Sequence, residues 1–365
     1  MTVALHVGQL FQPVPGGIGR YVYELMLALR AGGTDVVPFA AGDPDPRLRG
    51  ALSGFVGLGH PYPPVRYELW HRFRRPVVRI DADVVHAPSL AVPPTRLPLV
   101  VTVNDVAFLH HPEAFTKRGL AFHRRGLELA RRDADVVVTP SEFTRRELVA
   151  VGFDPDAVFV AHHGVTRDDR TDATAVDGHL ERLGLEPPFV LAVGTIEPRK
   201  NLPVLVAALE RVRVDRPDIT LVLAGPRGWL EVPGLERPWV RELGAVDEPT
   251  LDALYRRATL YAMPSRYEGF GLPVLEAMAR GCPVIAADAA SLPEVVGDAG
   301  LLVGPGGVDD WADGLTRLLA DPEARARVAE LGHARAARFT WSSSAEHHQA
   351  AYDEAVRRAG SRART

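Results

Sequence analysis

The stretch from Tyr261 to Asp288, Y-A-M-P-S-R-Y-E-G-F-G-L-P-V-L-E-A-M-A-R-G-C-P-V-I-A-A-D, leaves few folds open. It reads as an apolar strand, a glycine-hinged turn, a helix and a second apolar strand in quick succession. Pro273, with fixed φ and no N–H, suits the first helical position, and Gly281 closes the helix before Cys282-Pro283 opens the next strand. The backbone N–H groups of Phe270, Gly271 and Leu272 should then project from a helix N-terminus. Such an end carries roughly half a positive charge and is a ready anion site.

Two carboxylates frame the turn, Glu268 before it and Glu276 within the helix, eight positions apart (276 − 268 = 8). A carboxylate beside an anion would repel it. The economical reading is that these two accept hydrogen bonds from hydroxyls while the backbone between them holds the charge, which implies a polyhydroxylated ligand carrying phosphate. The plainer alternative makes Glu276 a complement to the helix dipole and Glu268 a solvated turn residue.

Strand and helix alternate along most of the chain, the pattern of α/β domains. With 365 residues, two domains are favoured over one. The 42 basic and 46 acidic residues give no basic excess of the kind that marks nucleic-acid binders. The single cysteine, Cys282, has no intrachain partner and points to a reducing compartment. No signal peptide is read at the N-terminus, and no apolar run approaches the ~20 residues that span a bilayer. A cytoplasmic protein is expected. Arg66–Arg75 could form an amphipathic helix with a basic face, which invites peripheral contact with the inner membrane face. The plainer reading packs Leu69, Trp70 and Phe73 on the sheet with the arginines in water.

In the first half, the loop Pro13–Arg20 contains Gly16-Gly17-Ile18-Gly19 and joins a strand to a helix, a device that lets phosphate approach backbone. A nicotinamide fingerprint would need a glycine where Val22 stands, and no acidic residue ends the following strand. Asn104-Asp105 follows the apolar strand Leu99–Val103 and so lies at its carboxyl end, where α/β sheets place ligands. His162-His163 on a strand point to opposite faces and lack a spaced acidic or Cys partner, so no metal site is expected. Thr166–Gly178 is polar, without apolar period, and reads as a linker. In the second half, Phe189–Thr195 is a strand, and Ile196-Glu197-Pro198-Arg199-Lys200-Asn201 carries the strongest pair of candidate cations. One of the chain's two lysines stands here, among arginines almost everywhere else.

The order E-G-F-G-L-P-V-L-E resembles the E-x7-E motif of retaining glycosyltransferases of the family 4 type, and the resemblance extends over nearly the full length except residues 43–80 and 166–186. It implies the GT-B fold: two Rossmann-like α/β domains facing across a cleft, here 1–170 on the acceptor side and 171–340 on the donor side. A terminal helix, 341–365, then packs back on the first. By resemblance, Glu276 holds the ribose of a nucleotide sugar, and Glu268 with the backbone of Phe270 and Gly271 holds the transferred sugar. The turn Gly269–Leu272 holds the diphosphate. Arg199 and Lys200 neutralise the leaving group, Thr195 lies in the same donor set, and the loop around Val246 packs on the base. Gly16-Gly17 belongs to a G-G-x-x-x-Y-like loop closing over the diphosphate.

Family members usually carry His-Asp where this chain has Asn104-Asp105. The substitution keeps a hydrogen-bonding group and excludes a histidine-based proton role at that position. The implied activity is transfer of a hexose from a GDP- or UDP-linked donor to a glycan, lipid-linked or small-molecule acceptor, with no cofactor and no metal. The E-P-R-K-N loop with F-L-H-H-P-E-A-F is similar to bacterial mannosyltransferases using GDP-mannose. UDP-glucose, UDP-N-acetylglucosamine and a rhamnose donor stay open. So do a pseudo-glycosyltransferase coupling non-sugar units, a sugar-nucleotide binding protein and an NAD-dependent oxidoreductase. The residues set no oligomeric state.

Overall fold

The computed structural model describes residues 1–12, 15–42, 48, 50–166 and 173–362. Its contacts divide the chain into two compact units, Met1–Gly164 with Thr340–Thr365, and Val165–Phe339.

The first unit begins with β1 (Thr2–His6), α1 (Gly16–Ala31), β2 (Asp35–Ala40), β3 (Val56–Gly57), α2 (Val65–Phe73), β4 (Val84–Ala87) and β5 (Leu99–Thr102). It continues through α3 (Ala107–His110), α4 (Lys117–Asp133), β6 (Val136–Thr139), α5 (Glu142–Ala150) and β7 (Val158–Val160). Its seven strands are parallel in the order β3-β2-β1-β4-β5-β6-β7. Strands β4, β5 and β6 are buried at every position, which is why they read as unbroken apolar runs. Ser141 caps α5 by accepting from the Thr144 amide at 3.1 Å.

The second unit contains α6 (Ala173–Leu183), β8 (Phe189–Val193), α7 (Leu202–Val212), β9 (Thr220–Ala224), β10 (Val240–Gly244), α8 (Glu248–Arg257) and β11 (Leu260–Met263). It ends with α9 (Leu272–Ala279), β12 (Val284–Ala287), α10 (Leu292–Val296), β13 (Leu301–Val303), α11 (Val308–Ala320) and α12 (Pro322–Ala336). The sheet is again parallel, in the order β10-β9-β8-β11-β12-β13. Strand order reverses between β8 and β11, so the loops leaving these neighbours diverge and open a crevice at their carboxyl ends.

The last helix, α13 (Trp341–Arg362), belongs to the first unit. Gly164 lets the chain pass it: a Cβ there would lie 2.2 Å from the Trp341 amide nitrogen. The helix packs on α1 and the sheet through the apolar residues Ala351, Tyr352 and Ala355, and through a fully buried polar chain. His348 Nδ1 lies 2.7 Å from the Ser344 carbonyl, which can only accept, so Nδ1 carries the proton. Every later bond then has one direction. Tyr21 donates to His348 Nε2 at 2.8 Å, and Thr102 donates to Tyr21 at 2.9 Å. His86 Nε2 donates to Thr102 at 2.8 Å, and Tyr352 donates to His86 Nδ1 at 2.9 Å. His163 packs its ring on Tyr21 with centroids 4.5 Å apart.

Three expectations are corrected. The linker read over 166–178 is partly helix: α6 spans Ala173–Leu183, and burial of Val176 and Leu180 in the second unit accounts for it. Residues 167–172 of that stretch lie outside the described residues. Gly16 and Gly17 form the first turn of α1 rather than a loop before it, while Pro13 and Val14 lie outside the described residues. In α2 and just after it, Trp70 is buried and Arg72 and Arg75 are exposed as expected, but Phe73 is 57% exposed and Arg66 is buried, against the expected packing. The Arg66 guanidinium donates to the carbonyls of Leu58, Gly59, His60 and Pro61. A cation that closes four loop carbonyls is worth burying; Phe73, at the end of a short helix, is covered only in part, by the Arg72 guanidinium 5.3 Å from its ring centroid.

Burial holds His348 at about 4 and His163 at about 3, and His86 well below the ordinary 6.5. Above that value neither folded nor unfolded chain charges these rings. Below it the unfolded chain takes up protons that the native chain refuses, so stability falls as pH drops from 6.5 toward 4. Each buried imidazole should contribute up to ~1.4 kcal/mol per pH unit in that window. Urea unfolding midpoints at about pH 7.5 and about pH 5.5 check this, and equal midpoints would contradict it.

Candidate functional site

The crevice between β8 and β11 is stitched by one residue. Asn201, left-handed at φ 55° and ψ 30°, ends the loop after β8, and its Nδ2 donates to the carbonyls of Pro264 (3.1 Å) and Pro305 (2.7 Å). The Arg266 amide donates back to the Arg199 carbonyl at 3.0 Å. Two loops far apart in sequence are thereby fixed as one surface, which places Arg199, Lys200 and Glu268 together.

Each oxygen of Glu268 takes one cation: Oε2 lies 3.1 Å from Arg199 Nη1, and Oε1 accepts from Lys200 Nζ at 2.8 Å. Arg199 Nη2 also donates to Glu197 Oε1 at 2.7 Å, and Nη1 donates to the Tyr267 carbonyl. Ser291 Oγ donates to the Glu268 carbonyl at 2.8 Å. All four charged side chains are 15% exposed or less, and two cations face two carboxylates with no net charge. Burial by itself would raise the Glu268 carboxyl, but Arg199, Lys200 and the Lys200 hydrogen bond outweigh it and hold the group at about 2.

The Glu268–Leu272 turn leads into α9 as the sequence requires. Gly271 sits at φ 104° and ψ 42°, a conformation that excludes side chains, and a Cβ would also strike Leu292 at 2.7 Å. Leu272 opens the helix, and Pro273 is its second residue rather than its first. The Val274 amide turns back to the Gly271 carbonyl at 3.0 Å. Among the described residues, the amides of Gly271 and Leu272 have no protein acceptor. Phe270 is buried, its ring edge-on to Phe339 at 5.9 Å, and so anchors the turn from below. Glu276 is 4% exposed and accepts from the Tyr255 hydroxyl at 2.9 Å.

Of the remaining candidates in this unit, Thr195 lines a small crevice with Val193, Gly194, Lys200, Met263 and Ser265. Val246 is half-buried between β10 and the Asp247 cap of α8, and packs on the unit's core. In the first unit, Asn104 donates its side-chain amide to the Pro88 carbonyl at 3.0 Å, and Asp105 accepts from the Ala107 amide at 3.0 Å. Gly16 and Gly17 are exposed at the start of α1. Four residues that the sequence reading did not place in the site contribute to it: Glu197, Asn201, Tyr255 and Ser291. Glu197 and Asn201 flank the cation pair within E-P-R-K-N. Tyr255 and Ser291 carry no local signal, because their contacts are made across 21 and 23 residues.

Residues 15–169 match the family model described as Glycosyltransferase Family 4, and residues 187–321 match that described as Glycosyl transferases group 1. The chain is 30% identical to the O-antigen chain mannosyltransferase B of Escherichia coli, over 89% of this chain and 89% of that one. It is also 30% identical to the D-inositol 3-phosphate glycosyltransferase of Mycobacterium avium, over 98% and 94% of the two chains. In fold it is similar to Anabaena HepE, solved with UDP and glucose, at a TM-score of 0.74 and 21% identity over 96% and 98% of the two chains. It is likewise similar to the sucrose-phosphate synthase of Thermosynechococcus elongatus, at 0.75 and 23% over 97% and 98%. Two parallel-sheet α/β domains with the last helix returned to the first define a GT-B glycosyltransferase. The chain belongs to glycosyltransferase family 4.

Glu268 is the built-in counter-ion of the cation pair, so its removal should have two effects. Glu268→Gln is expected to lower stability by ~3 kcal/mol or more, because it strands partly buried charge. The variant should then gain more thermal stability from inorganic pyrophosphate than the parent does. Equal pyrophosphate shifts in differential scanning fluorimetry would refute the counter-ion role.

Proposed function

We propose that this glycosyltransferase takes its sugar from a nucleoside-diphosphate donor bound in the second unit and transfers it with retention, mannose from GDP-mannose being the favoured pair. The observation that carries the reading is the adjacency of Arg199 and Lys200 to the turn that opens α9. A leaving nucleoside diphosphate carries two or three negative charges, more than the half charge of a helix end can balance. Arg199, Lys200 and the amides of Gly271 and Leu272 supply the rest. Preorganised groups of this kind stabilise charge as it develops, which is commonly the main source of an enzyme's rate enhancement. Glu268 accepts from a sugar hydroxyl, Glu276 from the ribose, and Thr195, Val246, Gly269 and Phe270 complete the donor set. Asn104, Asp105, Gly16 and Gly17 are the first unit's candidates for substrate contact.

On this reading the cation pair and the turn amides, not a divalent ion, face the leaving diphosphate. Among the described residues no three His, Cys, Asp or Glu side chains gather as metal ligands. Mannose is supported by the Escherichia coli relative, and the acceptor is then a glycan or lipid-linked glycan. The Mycobacterium avium relative favours a second reading, a small phosphorylated polyol as acceptor. The exposed Val65 and Phe73, close in sequence to the exposed Arg72, Arg75 and Arg79, support peripheral contact with an anionic inner membrane face. No helix among the described residues is long and apolar enough to cross a membrane.

The donor is tested by thermal shift with GDP, UDP and their sugars, followed by product analysis. GDP and GDP-mannose should stabilise most, NAD should not, and the product anomer read by NMR should keep the donor configuration. Arg199→Ala and Lys200→Ala should each lower kcat by about 10²- to 10³-fold, and EDTA should leave turnover unchanged. Normal turnover by both variants would defeat the leaving-group reading. For the membrane contact, Phe73→Ala should reduce flotation with vesicles containing anionic lipid; equal flotation would defeat it.

A further inference from the structure

The hydroxyl of Tyr255 donates to Glu276 Oε2 at 2.9 Å, and both groups are buried. Tyr255 stands on α8 and Glu276 on α9, so this bond joins two helices. The tyrosine ring cannot turn away. Tyr261 meets it at 5.7 Å between centroids, and the Arg280 guanidinium covers it at 5.4 Å. Arg280 is itself held, donating Nη1 to the Glu276 carbonyl at 3.2 Å and Nε to Asp252 Oδ1 at 2.7 Å. The other oxygen of Asp252 accepts from Arg256 Nε at 2.6 Å. The phenol thus arrives at Glu276 from a direction fixed by packing, a cation over its face and a guanidinium bridge. Burial, with Glu276 and Tyr261 alongside, raises the phenol far above its ordinary range, so it keeps its proton and serves only as a donor here.

We infer that Tyr255 is a positioning residue for nucleotide recognition: it fixes the plane and rotamer of the Glu276 carboxylate so that this group meets the ribose hydroxyls of the donor. The inference rests on the reading of Glu276 as the ribose acceptor. A carboxylate offers about four lone-pair sites, so one phenol and a pair of ribose hydroxyls can be served together. Without the phenol, the carboxylate loses the donor that aligns Oε2, and the preference for a ribose over a deoxyribose is lost before phosphate binding is. This differs from a purely architectural role, which would weaken every nucleotide alike.

The test sets a ligand hydroxyl against a protein hydroxyl. Dissociation constants of GDP and UDP, and of their 2′-deoxy and 3′-deoxy counterparts, are measured for the parent, Tyr255→Phe and Glu276→Ala. The parent should prefer the ribo form of its cognate nucleotide over at least one deoxy form by about tenfold or more. Tyr255→Phe should bind the ribo form about five- to tenfold more weakly and the deoxy form about equally well, bringing the preference close to one. Glu276→Ala should remove the preference outright. If Glu276→Ala keeps it, the ribose reading of Glu276 is wrong and this inference goes with it. If Glu276→Ala loses it while Tyr255→Phe keeps it, or weakens ribo and deoxy forms alike, the positioning role alone is overturned. Should Tyr255→Phe not fold, Glu276→Gln and Tyr255→Phe/Glu276→Gln are compared, since the amide leaves no buried charge unpartnered. Loss of the residual preference on adding Tyr255→Phe supports the inference, and an unchanged preference overturns it.

Discussion

Two cations in a poorly solvated corner are the constraint on which the second unit depends. Taking a guanidinium and an ammonium out of water is costly unless opposite charge arrives with good geometry. Glu268 provides that geometry by giving one oxygen to each, and Glu197 adds a second bond to the arginine. The arrangement requires the chain after β8 and the chain after β11 to meet, and the reversal of strand order makes them neighbours. Asn201 then removes the slack by spanning Pro264 and Pro305. Sheet topology, loop conformation and side-chain charge act on the same few ångströms.

The balance of charge in this corner also changes how the two acidic residues of the motif are understood. Read along the chain, Glu268 and Glu276 are a matched pair around a turn. In three dimensions they differ. Glu268 is shared between cations, whereas Glu276 meets a neutral phenol. The first is bound by groups whose attraction falls when an anion competes for them; the second is held by a donor that no anion competes for.

What could be read from the sequence was local. The strand–turn–helix of Leu260–Ala279, the cation pair in E-P-R-K-N, the Ser141 cap and most helix limits follow from spacing and caps within a few residues. What could not be read was set across long separations: Lys200 to Glu268 over 68 positions, Tyr21 to His348 over 327. Arg66 reads as solvent-facing because a charged side chain on a short helix usually goes there, and four loop carbonyls reverse it. Helix α6 is hidden by the polar, Asp-rich residues that precede it in sequence and by a mid-helix Gly178, and only its packing against α8 in the second unit makes it plain.

The polar chain from Tyr352 to Ser344 has a consequence for how the molecule is made. Helix α13 is translated after the whole second unit, yet it covers the sheet of the first and supplies three members of its buried network, Ser344, His348 and Tyr352. When Gly164 leaves the ribosome, Tyr21, His86 and Thr102 are all present and lack those partners. The amino-terminal half therefore cannot complete this network before α13 is made. Its interior is completed only by a segment that begins 177 residues downstream (341 − 164 = 177).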